Sequence, residues 1–297
     1  MGIQLGVQLA VNGISLGAVY ALIAVGFALV FSVLKFSNFA HGGMISACAF
    51  VGFFFQRAFS TPPPILITIL FTSLCGVVLA LLMDTTGFRR IRKNKSPGIY
   101  NFLSSLAFAI MIEQFLAVVF GKNVHAYPSI FKRITFDLFG IRFTSIDLLI
   151  LAVSLSILVI LILVIDKTKI GLAIRGVAIN PDTSLLMGIN SNIVVLSVLT
   201  AAGFLAGISG VFLGMKYSVY PAVGSTMMLK GFIASVIGGL GSLGGAIFAA
   251  IMLGLIEIFL TYYIGAIVTP VILFAVMLVF LFLRPQGISG RIAKEKV

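Results

Sequence analysis

Charged residues are scarce in this sequence. Of its 297 residues, 9% are Asp, Glu, Lys or Arg and 60% are hydrophobic, and the mean hydropathy is +1.21. A soluble domain carries roughly a quarter charged residues, so this composition cannot cover a water-facing surface. We therefore expect an integral membrane protein of the all-α, polytopic class.

The sequence also lacks the motifs of several enzyme classes. It has no Gly-Lys-Ser phosphate-binding loop, no zinc-ligand spacing and no pair of carboxylates within one loop. Its two cysteines, Cys48 and Cys75, lie in apolar runs and are expected to act as small buried hydrophobes. We predict no catalytic residues, no metal and no cofactor, and no ATP hydrolysis through such a loop.

The net charge of +12 could suggest a nucleic-acid partner. The basic residues, however, lie in short loops between apolar runs, a pattern typical of membrane orientation. Most of them fall on one side if the loop 84–95, the segment 166–192 and the C-terminus all face the cytoplasm. We therefore predict a cytoplasmic C-terminus, an outer N-terminus and no nucleic acid, although the basic residues of loop 121–144 then face outward.

Long apolar runs predict about eight transmembrane spans in a single domain, 1–297. The run 227–263 is too long for one crossing and is divided by Gly238, Gly239 and Gly241, so we expect two short or broken helices that meet there. Irregular backbone at membrane depth is tolerated only where it is buried in protein or lines a wet cavity. The runs cover residues 1–34, 38–57, 65–83, 100–120, 147–165, 193–215, 227–263 and 267–283.

The segment 166–192 is polar, basic and rich in glycine. It predicts a short amphipathic helix over about 169–178, a break at Asn180–Pro181, and a second helix from Asp182 to Met187 that ends at Gly188. Two short helices across the end of a membrane bundle offer a surface to a protein partner. The alternative is an ordinary solvated loop.

Four ionisable side chains lie in or near apolar runs, where charge is costly and a functional role is the default expectation. His41 shares a helix face with Asn38, and the two either cap a helix start, the interpretation we prefer, or line a path. Glu113 either pairs across the bundle or lines a path. Glu257 is expected near the outer interface, and Lys230 is expected to extend toward the surface, with attraction of a carboxylate as the alternative.

Three stretches resemble one known family. The stretch 16–42, LGAVYALIAVGFALVFSVLKFSNFAHG, is similar to the first-helix signature of branched-chain amino acid ABC importer permeases. The stretch 170–190, IGLAIRGVAINPDTSLLMGIN, resembles their cytoplasmic coupling loop, and the stretch 220–257 resembles their C-terminal signature. The final Arg284-Pro285-Gln286-Gly287 matches as well.

The resemblance implies a multi-pass permease subunit of the inner membrane, surrounded by lipid, that binds no nucleotide. It would pair with a second permease, identical or similar, dock on two cytoplasmic ATPases, and receive solute from a periplasmic or lipoprotein binding protein. Apolar residues of the coupling loop would insert into a cleft on the ATPase, with Arg175 or Asp182 fixing the register. The coupling loop spans 166–192, and its candidate contacts are Lys169, Arg175, Gly176, Pro181, Asp182, Met187, Gly188 and Ile189.

The expected solute is a branched-chain or other small amino acid, although members of the superfamily also carry urea, amides, sugars or nucleosides. A stand-alone ion-coupled transporter remains the alternative of a different class, because broken helices with acids at depth suit it too. Two departures stand out: Gly43 replaces a frequent acid, and Leu172 replaces a usual basic residue. Candidates for the translocation pathway are Asn38, His41, Glu113, Lys230, Gly238, Gly239, Gly241 and Glu257.

Overall fold

The computed structural model describes residues 2–59, 61–94, 96–128, 135–138, 141–284 and 286–289, and helices dominate it. Three parts of the sequence used above lie outside these ranges: Lys95, Pro285 and the basic residues beyond position 289. The helices are α1 Gly2–Leu34, α2 Ala40–Arg57, α3 Ile65–Met83, α4 Arg89–Lys93, α5 Gly98–Phe120, α6 Ser145–Lys167, α7 Lys169–Ile179, α8 Pro181–Leu186, α9 Ser191–Tyr217, α10 Val223–Gly238, α11 Leu243–Tyr263 and α12 Thr269–Leu283.

Six of the described helical segments are long and apolar enough to cross a membrane, namely α1, α3 together with α4, α5, α6, α9 and α11. Helices α10 and α12 are apolar but shorter, and α2 is buried along most of its length. The all-α, polytopic membrane class is therefore confirmed. Six long and two short apolar helices agree in number with about eight spans. The sets differ, because the predicted run 38–57 corresponds to α2, which is not among these eight, and the run 227–263 contributes both α10 and α11.

One short hairpin departs from the helical pattern. Strands β1 (Thr135–Leu138) and β2 (Ile141–Thr144) pair antiparallel within the loop 121–144, for which no strand was predicted. Beside it, the His125 and Val219 backbones exchange two hydrogen bonds of 2.8 Å. Tyr127 packs against Gly52 and Gly214, and burial raises the pKa of its phenol well above the usual range. The loop is thus anchored on the bundle.

Helix α1 is the centre of the bundle. Every residue from 16 to 30 is buried, as expected for a helix that is apolar on all sides, and α9, α10 and α11 pack around it. Glycines allow the closest approach: a Cβ on Gly17 would lie 2.6 Å from the Ile251 Cα, and one on Gly254 would lie 2.4 Å from the Gly17 nitrogen. Small residues therefore set the spacing of α1 and α11, as is common between helices in lipid.

The chain between α1 and α2 is not helical, and here one prediction was wrong. Helix α2 begins at Ala40 with no side-chain cap among the described residues, so Asn38 does not cap it. The backbone of this segment is held instead by α5, whose Ser105 hydroxyl lies 3.2 Å from both the Ser37 carbonyl and the Phe39 amide. Contact with another helix replaces the local cap that the spacing indicated.

The prediction of a basic loop at 84–95 was also wrong, because this segment is helical as far as Lys93. Helix α3 passes through a π-helical turn, Asp84–Phe88, into α4. The buried Asp84 carboxylate pairs with the Arg92 guanidinium at 2.7 Å. This pairing, eight residues apart along the chain, stabilises the helical continuation that the run of charges concealed.

The predicted division of the run 227–263 is confirmed, since α10 and α11 meet at the residues 239–242. The turn lies beside other parts of the bundle. Gly241 approaches Ser32 near the end of α1, and Gly241 shares a cavity with Asp166 and Arg175 of the α6–α7 corner. Both Gly239 and Gly241 have a positive φ, which explains why glycine occupies them. The turn therefore belongs to the end of the bundle that carries α7 and α8.

Candidate functional site

The helix–break–helix structure predicted for 169–187 is present, and local signals account for it. The Asn180 side chain accepts a 3.0 Å hydrogen bond from the Thr183 amide, and Pro181 occupies the first helical position of α8. Gly188, with φ of 81°, ends α8, and the Ile189 amide donates to the Ser184 carbonyl at 3.0 Å. This is a Schellman-type C-cap.

Helix α7 is fixed to the bundle along one face. Gly171 lies against Ile165, where an added Cβ would meet the carbonyl oxygen, and Ile174 and Val177 are buried. The Arg175 guanidinium donates to the Ile165 carbonyl and lies 3.6 Å from the Asp166 carboxylate. Arg175 therefore contacts α6 of its own chain.

The outer face of these two helices is apolar and exposed. Ile179 is 86% exposed, Leu186 88% and Met187 79%. Lys169, Pro181 and Asp182 are exposed around them, whereas Ile189 is only half-buried at the edge and Gly176 faces Ser184. Contiguous apolar side chains rimmed by polar ones are typical of a protein-docking surface. We call this surface, Lys169–Ile189, the coupling surface.

Three polar side chains meet between α1, α10 and α11. Tyr20, Lys230 and Glu257, one from each helix, form a hydrogen-bonded triad. The Lys230 ammonium lies 2.5 Å from Glu257 Oε1, and the Tyr20 hydroxyl donates to Glu257 Oε2 at 2.9 Å. Lys230 also donates to the Tyr20 hydroxyl at 2.9 Å. The side chains of Lys230 and Glu257 are only 15% and 11% exposed, so Lys230 pairs with a carboxylate, the alternative expectation, and does not extend to the surface.

Two features of this region could not be read from the sequence. Tyr20 is fully buried in an apolar run, and nothing in its neighbours distinguishes it from a core residue. Lys216, Asp147 and Ser15 form a second polar cluster. The Lys216 ammonium lies 2.9 Å from one Asp147 carboxylate oxygen, and the Ser15 hydroxyl donates to the same oxygen at 2.9 Å. These contacts depend on how α1, α6 and α9 meet, so sequence spacing carries no signal of them.

The remaining pathway candidates are separated in the fold. Asn38 and His41 are 1% and 0% exposed, and both side chains lack a hydrogen-bond partner among the described residues. Glu113 lies on α5, and its Oε1 atom is buried without a described partner. Gly238 is the last residue of α10, and Gly239 and Gly241 lie in the α10–α11 turn. The part of the chain that the structure describes brings no three His, Cys, Asp or Glu residues into a metal-binding group.

Comparison with known proteins gives a consistent result. The family model described as "Branched-chain amino acid transport system / permease component" matches residues 9–281. The high-affinity branched-chain amino acid transport system permease protein LivH of Escherichia coli K12 is 28% identical over 297 residues, with 96% of each chain covered. Its counterpart BraD of Pseudomonas aeruginosa is 27% identical over 301 residues, covering 98% of this chain and 97% of BraD.

One solved structure supports the fold. A chain of PsaBC from Streptococcus pneumoniae, in complex with Fab, superposes with a TM-score of 0.52 and 14% sequence identity. The match covers 94% of this chain and 91% of that chain. At this identity the likeness concerns the architecture of the helices alone.

Proposed function

The chain belongs to the branched-chain amino acid transport permease family, and from this premise we propose that it takes up branched-chain or other small amino acids. In this proposal it is a multi-pass inner-membrane permease subunit of an ATP-binding cassette importer, which its similarity to the permease proteins LivH and BraD over nearly the whole chain supports. The energy comes from two separate ATPase subunits, and a substrate-binding protein outside the membrane hands over the solute.

The observation that carries this proposal is the coupling surface. Leu186 and Met187 lie at the end of a capped helix and are 88% and 79% exposed. Exposed apolar residues on a fixed, polar-rimmed platform fit insertion into a cleft on an ATPase. Movement of that ATPase then shifts a packed helix bundle, because packed elements respond as rigid bodies.

We place the coupling surface and the C-terminus in the cytoplasm. Arg89, Arg90 and Lys93 are exposed on α4, which leaves the membrane after α3, and basic residues favour the cytoplasmic side. Helix α11 runs about 31 Å from the α10–α11 turn, so the α11–α12 turn around Ile267 lies at the outer end.

A second permease, identical or similar, completes the transporter in this proposal. Helix α5 leaves most of its surface exposed, and it carries the buried, unpartnered Glu113 oxygen beside the exposed Gln114. Polar groups at membrane depth normally face protein or a water-filled cavity. We therefore assign α5 to the side that meets the second permease, with Glu113 close to the pathway between them.

Reconstitution tests the proposal. Vesicles containing this chain, its partner permease and the ATPases are loaded with ATP, and uptake of radiolabelled L-leucine is measured with the binding protein outside. We expect uptake that needs both ATP and the binding protein. Uptake by this chain alone, driven by a proton or sodium gradient, would contradict the proposal and favour an ion-coupled transporter.

A further inference from the structure

A cavity of about 300 Å³ opens at the end of the bundle that carries α7 and α8. It lies between α1, α6, α7 and the turn that joins α10 to α11. Its size is at the lower end of the range for small-ligand pockets, which are mostly apolar with a few placed polar groups. Its walls have this composition, with aliphatic side chains supplied by Leu29, Ile162, Ile165, Ile174 and Leu243.

The same cavity contains one acid and one base. Asp166 of α6 and Arg175 of α7 both line it, and their nearest charged atoms are 3.6 Å apart, which is longer than a hydrogen bond. Arg175 uses one guanidinium nitrogen on the Ile165 carbonyl and keeps further N–H donors. Because 42% of the Arg175 side chain and 60% of the Asp166 side chain are exposed, a solute can reach both.

We propose that this cavity binds a free aliphatic α-amino acid from the cytoplasm and that its occupancy slows transport. The assignment rests on the proposed function for the orientation of the chain and for the identity of the solute class. A zwitterion matches the cavity group by group: its carboxylate pairs with the Arg175 fork, its ammonium with Asp166, and its branched side chain with the aliphatic walls.

Occupancy acts on transport through the position of α7. The two charged groups belong to different helices, and α7 is the part of the coupling surface that packs on the bundle. A ligand that bridges Asp166 and Arg175 binds only an arrangement in which these two side chains lie close together, as they do here. It therefore favours that arrangement over any other that the ATPases impose, by its difference in affinity for the two.

Binding is measured first, on the permease–ATPase complex without the binding protein. We expect saturable binding of radiolabelled L-leucine. Competition by 4-methylpentanoate, which lacks the ammonium, and by 3-methylbutylamine, which lacks the carboxylate, should each be about tenfold weaker or more, since each loses a charge-assisted hydrogen bond. Equal competition by all three compounds, or no saturable binding, overturns the proposal.

A cavity-filling variant links binding to this site. Gly244 lines the cavity, and a Cβ added there meets nothing within 4 Å, so Gly244→Leu fills the space without moving the backbone. Gly6 is equally open but lies near the start of α1, so Gly6→Leu is the matched control. We expect Gly244→Leu to lose leucine binding and Gly6→Leu to keep it. Ile162→Phe fills the same cavity from α6 if Gly244→Leu does not assemble.

Transport gives the second readout. Vesicles loaded with ATP, with or without millimolar unlabelled L-leucine inside, take up labelled leucine from the outer binding protein. Luminal leucine should lower the initial rate several-fold in the wild type and leave it unchanged in Gly244→Leu. ATP-driven uptake that luminal leucine does not slow overturns this inference alone. Absence of ATP-driven uptake in empty wild-type vesicles overturns the proposed function instead.

Discussion

The Lys230–Glu257–Tyr20 triad illustrates what a charge inside a membrane protein requires. An isolated charge in an apolar interior is very costly, and it persists only when it is paired and hydrogen-bonded. Both Glu257 oxygens accept a hydrogen bond, and the Lys230 ammonium donates two. The triad is thus neutral and well satisfied, and it joins α1, α10 and α11 at one level of the bundle.

We predict that removing both members of this pair costs less stability than removing Lys230 alone. Lys230→Met leaves the Glu257 carboxylate uncompensated and should destabilise the chain by about 3–5 kcal/mol, as measured for broken buried pairs. Lys230→Met together with Glu257→Gln removes both charges and should recover most of that loss. The check is the Tm of the detergent-solubilised permease. A double variant no more stable than Lys230→Met would show that the pair is not the relevant unit.

Glycine spacing gives a second prediction at the residue scale. A Cβ at Gly17 would lie 2.6 Å from a backbone atom of α11, whereas one at Gly6, on the same helix, meets nothing within 4 Å. Gly17→Ala should therefore cost about 1–3 kcal/mol, the usual effect of overpacking, while Gly6→Ala should be neutral or slightly stabilising. Equal Tm values for the two variants would contradict the close packing of α1 on α11.

Elements differ in how well their sequences determine them. Helices α7 and α8 were predictable because their boundaries depend on local chemistry: the Asn180 cap, Pro181 at the first turn and Gly188 at the end. The start of α2 was not, because Ser105 of a distant helix satisfies the backbone there. The pairing of Lys230 with Glu257 likewise depends on the α10–α11 turn bringing two helices side by side.

The coupling surface yields a prediction at the scale of the element. Met187→Asp places a charge on an exposed apolar position of a capped helix, so the bundle should fold with an unchanged Tm while ATPase binding falls at least tenfold. Ile267→Asp, at a residue 93% exposed in the turn at the opposite end, is the control and should bind normally. Both are read by co-purification of the ATPase.

Ile189 requires a different expectation from Met187. It is half-buried and packs against the core, so Ile189→Asp should lower the Tm of the permease as well as ATPase binding.

Ordinary co-purification of the ATPase with Met187→Asp would mean that the exposed face of α8 is not the contact.

At the scale of the whole molecule, composition and resemblance together predicted the class and the family, since both depend on features spread along the chain. They did not predict where polar groups meet, because this depends on which helices neighbour α1. The structure links α7 to the helices around α1 through these neighbours: α7 shares a cavity with the α10–α11 turn, and α10 and α11 are held to α1 by the triad. A displacement at the coupling surface therefore has a packed route into the membrane.

The sidedness of the coupling surface tests the central claim most directly. In a chain with Cys48 and Cys75 replaced by Ala, and produced without the ATPases, Leu186→Cys and Ile267→Cys are treated with a membrane-impermeant maleimide. We predict that Leu186→Cys reacts in inverted membrane vesicles and is protected in intact cells, with the reverse result for Ile267→Cys. Reaction of Leu186→Cys from outside intact cells would contradict a permease driven from the cytoplasm through α7 and α8.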